Sequence, residues 1–215
     1  VEAFRLHDRT TQSVGGAQHL EAWLPFAADG HQACLEIIRT PMFDAAGHLT
    51  GILGIGRDVT VARQVQGVLA ARARESQCLQ AVFAATERTD VPLATMFEDV
   101  ASCLASGFTY SDAIVRIIFQ KHACGSDWLP ATTVIAADFR TREEQGRLEV
   151  AYRSARPEAE IGCFTTGERA MLDTAAERLG SAVARHRDAE ALREREEIYA
   201  AIVDQAHDSI VMVDV

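Results

Sequence analysis

The chain has 215 residues, 48% of them apolar and 24% charged, with a formal net charge of −10 at pH 7. That length allows more than one compact unit, since domains run to ~100–200 residues, and the apolar fraction argues against wholesale disorder. The acidic balance, with Lys121 the only lysine, argues against a phosphate-tracking surface for nucleic acid; the arginines are interleaved with acids, as on solvated helices.

Five cysteines, Cys34, Cys78, Cys103, Cys124 and Cys163, form no CxxC pair. This scatter signals neither a zinc knuckle nor a disulfide framework, and it fits a reducing, cytoplasmic setting. No apolar run approaches the ~20 residues of a membrane span, and no basic-then-apolar leader opens the chain. The chain starts at Val1 rather than Met and stops at Val215 inside a strand-like run. It reads as a piece of a longer protein, and that parent is free to be membrane-attached.

Residues 1–60 are expected to be strand-rich after an opening turn of helix. EAWLPFAADG alternates loosely and ends in Asp29-Gly30, suited to a tight turn. HQACLEIIRTPMF is a strand with Ala33, Leu35 and Ile37 on one face and Cys34, Glu36 and Ile38 on the other. Residues 44–47 make the next turn, and LTGILGIGRDV is the returning strand. GILGIG fits neither GxGxxG nor GxxxxGK[ST], and its glycines lie within a strand rather than between a strand and a helix N-terminus. The nucleotide-loop reading is therefore set aside, and close approach by another group is the expected reason for glycine there.

The run from Leu35 to Pro41, the turn 44–47, Gly51-Ile52-Leu53-Gly54-Ile55 and the closing Arg57-Asp58-Val59-Thr60 resemble the C-terminal half of a PAS domain, the segment called the PAC motif. FRLHDRTTQSVGG, residues 4–16, resembles the helix and loop before those strands. The resemblance implies that residues 1–60 are half of an antiparallel PAS sheet, with an edge exposed along 51–59. It also implies that Asp58, Val59 and Thr60 cap the sheet and relay a signal into an output helix; Asp and Thr are good N-cap types in their own right.

That linker helix, 61–86, carries Val61, Val65, Val68, Leu79 and Val82 on a 3-4 spacing interrupted by Arg72 and Glu75. Either a weak coiled-coil seam or one amphipathic helix packed on a neighbouring domain has this form. Pro92 then opens a core-facing helix with Leu93, Met96, Phe97, Val100, Cys103 and Leu104 on one face. Residues 112–120 are a strand, KHACGSDWLP a loop and ATTVIAADF a second strand. Gly146 is expected as a turn before a third strand through Leu148, Val150 and Tyr152. Thr165 or Thr166 caps the next helix, with Glu168 early in its first turn.

Pro92-Leu93, Gly107-Phe108, the run from Gly146 to Tyr152, Arg156-Pro157-Glu158, and Phe164 with the run from Glu168 to Leu172 resemble a GAF-like sensory domain, 87–165 with its following helix to about 185. Such domains sit between PAS domains in bacterial multidomain signalling proteins. The resemblance names no ligand, and three strands are few for an enclosed pocket.

From Glu168, Leu172, Ala175, Leu179, Ala182, His186 and Ala189 follow a heptad spacing, expected as a coiled-coil seam over 166–195. The phase slips at Leu192 and resumes through Tyr199 and Ile202, a stammer that locally overwinds a coiled coil. Residues 196–215 resemble the start of a second PAS domain.

No catalytic constellation stands out. His186 lacks the Glu-Leu-Arg-x-Pro context of a kinase phospho-acceptor and is read as a polar seam residue setting register. His7, His19, His31 and His48 lie beside turns and are read as solvated. His122 and Cys124 are only two candidate metal or haem ligands, without a second pair. Ser13, Ser126 and Ser209 have no nucleophile-elbow context, and Glu98 and Asp99 point about 100° apart on a helix. The expected fold class is α+β: a PAS sheet remnant, a helical linker, a small GAF-like domain and a long coiled-coil helix.

The expected function is a sensory and signal-relay segment of a bacterial signal-transduction protein, homodimeric through helices 61–86 and 166–206. The segment itself is not expected to be an enzyme. Its parent is expected to carry a histidine kinase or a GGDEF/EAL cyclic-dinucleotide output domain. The alternative is a small-molecule or haem sensor in the GAF-like region, with the cofactor unnamed.

Overall fold

The computed structural model describes residues 16–26, 30–128, 133–141 and 144–209. The opening helical turn with His7 and Ser13, Asp29 of the first turn, and the strand expected after Ser209 lie outside these residues. The fold is mixed α+β, with antiparallel sheets, and the chain divides into two compact units, residues 1–70 and 71–215.

In the first unit, β1 (Gln18–Pro25), β2 (Gln32–Phe43) and β3 (Leu49–Asp58) form a meander in the order β1-β2-β3. Burial in β1 alternates with period two, as a strand covered on one face requires. Its half-buried Leu20, Ala22 and Leu24 pair with Ile37, Leu35 and Ala33, so these six share a face. The β2–β3 turn is built as its residues dictate: Asp44 Oδ1 accepts from the amides of Ala46 (2.9 Å) and His48 (2.7 Å), and Gly47 sits at φ +84°, open to glycine without strain. Those amides hold the Asp44 carboxyl below the usual carboxylate range, the His48 amide most of all. Among the described residues β3 is an edge strand.

Two of the strand glycines, Gly54 and Gly56, behave otherwise than expected, whereas a Cβ at Gly51 would reach Met42 Cε at 3.5 Å. A Cβ at Gly54 would meet nothing within 4 Å, and one at Gly56 only Ile37 Cγ1 at 4.0 Å. No group within the described residues needs the space they leave.

Helix α1 (Thr60–Glu87) begins in the first unit and ends in the second. The second unit adds α2 (Leu93–Ala105), β4 (Ala113–Phe119), β5 (His122–Gly125), β6 (Val134–Arg140), β7 (Gln145–Tyr152) and α3 (Thr166–Ser209). Among the described residues its four strands are all antiparallel, in the order β5-β4-β7-β6. Val115, Ile117, Phe119, Leu148 and Phe139 on the sheet bury against Met96, Phe97, Val100 and Leu104 of α2, Leu172, Leu179 and Val183 of α3, and Cys78 and Val82 of α1. Each such large side chain contributes roughly 1.5–3 kcal/mol on burial.

Two strand expectations are corrected here. The stretch expected as a loop contains β5, which pairs Phe119 with His122 and Ile117 with Cys124; the hairpin is tight because Gln120 takes φ +55° where a glycine would be usual. Gly146 is not a turn. It lies inside β7 between Phe119 of β4 and Phe139 of β6, and a Cβ there would stand 2.1 Å from Phe139 Cζ. Its missing side chain is the space the Phe139 ring fills, and the turn falls at Thr141 and Glu144: the Thr141 amide donates to the Glu144 carbonyl at 2.9 Å and the Glu144 amide to Thr141 Oγ1 at 3.0 Å.

The C-terminal part of the linker helix and the N-terminal part of the long helix pack in the core of the second unit.

Candidate functional site

The end of β3 and the start of α1 are tied into one junction. Asp58 Oδ1 accepts from the Thr60 amide (2.8 Å) and hydroxyl (2.6 Å), and this pair holds the Asp58 carboxyl below its ordinary range, the hydroxyl contributing most. Thr60 Oγ1 in turn accepts from the Cys34 amide of β2 at 2.8 Å, while the Val59 amide donates to the Cys34 carbonyl at 2.9 Å. The Val59 carbonyl then receives the Arg63 amide of the first helical turn at 2.9 Å. Asp58, Val59 and Thr60 thus bond both to the central strand and to the helix. The spacing was legible in the sequence; its partners were not.

Those partners are Cys34, Glu21 and Arg63. Arg63 pairs with Glu21, and Glu21 Oε1 accepts from the fully buried Cys34 thiol at 3.3 Å. Arg63, then Cys34, draws the Glu21 carboxyl down, while burial, then Glu21, pushes the Cys34 thiol up. Only Arg63, three residues beyond Thr60 in the first turn, carried a positional hint.

The expected seam of α3 faces inward. Leu172, Ala175, Leu179 and Ala182 are all 0% exposed within the second unit's own core, so they are spent on intramolecular packing. His186, 3% exposed, lies 2.7 Å through Nε2 from the Arg88 carbonyl; it donates there and anchors the α1–α2 connection instead of setting register between copies. Ala189 is half-buried. A heptad pattern marks any helix with one apolar stripe, and here the stripe is covered by the sheet and helices beside it.

Apolar side chains of two helical stretches remain exposed: Val61, Val65, Val68 and Leu69 on α1, and Leu192, Ile198, Tyr199, Ile202 and Val203 on α3. Among the described residues no helix is long and apolar enough to cross a membrane.

The start of α3 is a capping box. Thr165 Oγ1 accepts from the Glu168 amide (3.1 Å) and Glu168 Oε2 from the Thr165 amide (2.8 Å), which selects Thr165 over Thr166 as the cap. Glu168 is buried, and its Oε1 also accepts from the Thr109 amide (2.7 Å) and the Tyr152 hydroxyl (3.0 Å). With every oxygen engaged it is a structural carboxylate.

A cleft of about 190 Å³ opens where α2, the β4–β5 hairpin and α3 meet. Leu93, Phe97 and Phe119 wall it, and His122, Cys124 and Arg187 stand at its polar side. The two rings meet edge to face at 5.6 Å. His122 and Cys124 share a face of β5, but among the described residues no three His, Cys, Asp or Glu side chains gather as metal ligands. The opposite face of the sheet carries a charged ladder, Arg116–Glu149 (2.5 Å), Arg147–Glu149 (3.0 Å) and Arg147–Asp138 (3.3 Å), with Arg116 over the Trp128 ring at 4.2 Å.

No protein-family profile matches the chain. Over 55 residues it is 38% identical to the aerobic respiration control sensor protein ArcB of Escherichia coli K12, and equally to the proteins of that name from Shigella flexneri and Escherichia coli O157:H7. The match takes in 26% of this chain and 7% of each relative, so the chain shares a segment with a bacterial sensor protein and spans a small part of its length.

Proposed function

We propose that this chain is a sensory and signal-relay segment of a bacterial signal-transduction protein. In this reading residues 1–60 are the C-terminal half of a PAS domain, residues 87–165 a GAF-like domain, and 196–215 the start of a second PAS domain. The observation that carries it is the hydrogen-bond set through Asp58 and Thr60, which couples the Cys34 backbone of the central strand to the first turn of a 28-residue helix. The shared segment with a bacterial sensor protein supports the same reading. A kinase or cyclic-dinucleotide enzyme elsewhere in the parent, in the cytoplasm, would receive the signal. The exposed apolar residues at 61–69 and 192–203 favour homodimerisation, with the pairing moved off the buried positions 172–186.

Hydrogen–deuterium exchange on the wild-type chain and its Asp58→Ala and Thr60→Val variants tests the relay. Faster exchange is expected at Cys34 and through the helix as far as residues 71–87. A change confined to residues 58–61 would refute coupling along the helix.

A further inference from the structure

We propose that the cleft between α2, the β4–β5 hairpin and α3 binds a small carboxylate with an apolar body, about the size of benzoate. This gives the ligand-binding alternative for the second unit a place and a chemistry, and it rests on nothing assigned to residues 58–60. The size comes first: about 190 Å³ holds only about six waters at ~30 Å³ each, below the ~300–1,000 Å³ of sites for drug-sized ligands, and a macrocycle such as haem has no room. Leu93, Phe97 and Phe119 offer an apolar wall to a ring or branched chain.

The polar side selects the head group. The Arg187 guanidinium and the His122 ring, which can donate a hydrogen bond, line it in a chain of net charge −10. Neither the His122 ring nor the Cys124 thiol has a hydrogen-bond or ion-pair partner among the described residues. One carboxylate oxygen already marks where an anion sits at this rim: Glu144 Oε1 accepts from both Gln120 Nε2 and Arg187, the latter at 3.3 Å. Gln120 makes this contact from the tight β4–β5 turn, where it takes φ +55°. Partly exposed ion pairs of this kind, with the Glu144 side chain 24% and Arg187 43% exposed, are modest in strength, so a ligand that adds apolar contact to the same carboxylate position can displace Glu144.

The test is an NMR amide-shift titration of the 215-residue chain with sodium benzoate, beside acetate, which lacks the body, and benzyl alcohol, which lacks the charge. Saturable shifts are expected at residues 93–97, 119–124 and 187, with benzoate tighter than either control by roughly tenfold. Ala94→Phe, at an exposed helical position on the cleft, should abolish them in a chain whose spectrum stays folded. Arg187→Gln should weaken binding by roughly tenfold, and Glu144→Gln should tighten it by removing the competing carboxylate. No saturable shift with a folded spectrum, shifts that survive Ala94→Phe, or benzyl alcohol binding as well as benzoate would each overturn the proposal. None of these outcomes alters the exchange result expected for Asp58 and Thr60, so failure here and failure of the relay are separable.

Discussion

Gly146→Ala is the sharpest test of the packing in the second unit. A Cβ at position 146 would stand 2.1, 2.5 and 2.6 Å from Phe139 Cζ, Cε2 and Cε1, far inside van der Waals contact. The strand cannot give way, since Gly146 sits in the ladder of β4 on one side and of β6 on the other. The ring must move instead, yet it is 2% exposed and stacked on Phe119 at 5.9 Å and 16°. Overpacking costs ~1–3 kcal/mol and complete loss of a phenylalanine's packing ~3–5, so a cost of about 3 kcal/mol is expected. Urea unfolding in a Trp23→Phe background leaves Trp128 as a reporter within the second unit, and the midpoint should fall with no change in slope. Phe139→Ala makes room for the methyl, so Gly146→Ala/Phe139→Ala should cost little more than Phe139→Ala alone. A Gly146→Ala variant within ~0.5 kcal/mol of wild type, or additive costs in the double variant, would show that the ring does not depend on the missing side chain.

Glu168→Gln puts an amide NH₂ against one of three hydrogen donors, and the same unfolding experiment should show a loss of about 2–4 kcal/mol. His186→Leu leaves the Arg88 carbonyl without its donor and should destabilise the second unit by ~1–3 kcal/mol; an unchanged midpoint would mean that the bond contributes nothing. Burial, with Cys103 adding to it, pushes the Cys78 thiol up to about 11, so the unfolded chain ionises first. Stability should therefore fall as pH rises from the ordinary thiol range toward 11, Cys78→Ala should flatten part of that slope, and iodoacetamide at pH 8 should spare Cys78 until the unit unfolds. A slope in Cys78→Ala as steep as wild type would contradict this.

Local chemistry was the legible part of this chain. The Asp44 turn, the Asp58-Val59-Thr60 step and the Thr165–Glu168 capping box are set by side chains acting on backbone within four residues; the sequence placed the first two and narrowed the third to Thr165 or Thr166. The β5 hairpin was hidden because Gln120 and Lys121 are not turn residues by type; tertiary pairing with β4 holds Gln120 in a conformation its own preference opposes. Gly146 was misplaced because glycine serves both turns and close approach, and only the position of Phe139 distinguishes them. The seam of α3 showed that one stripe would be covered, but periodicity is blind to whether the cover is the same chain or another. The cleft was missed because its walls come from residues 93–97, 119–124 and 187, which no local pattern links.

The long α3 helix has a mechanical consequence. Its apolar contacts end near Val183 and His186, yet the helix runs on, so Val203 lies ~30 Å further along at 1.5 Å per residue. The packed part is a pivot and the remainder a lever. A tilt of one degree, produced by a slight repacking of Leu172 or Leu179 against the sheet, would carry Val203 by ~0.5 Å over that length. Sub-ångström events in the core would thus arrive at the far end of the rod as displacements comparable to side-chain contact tolerances.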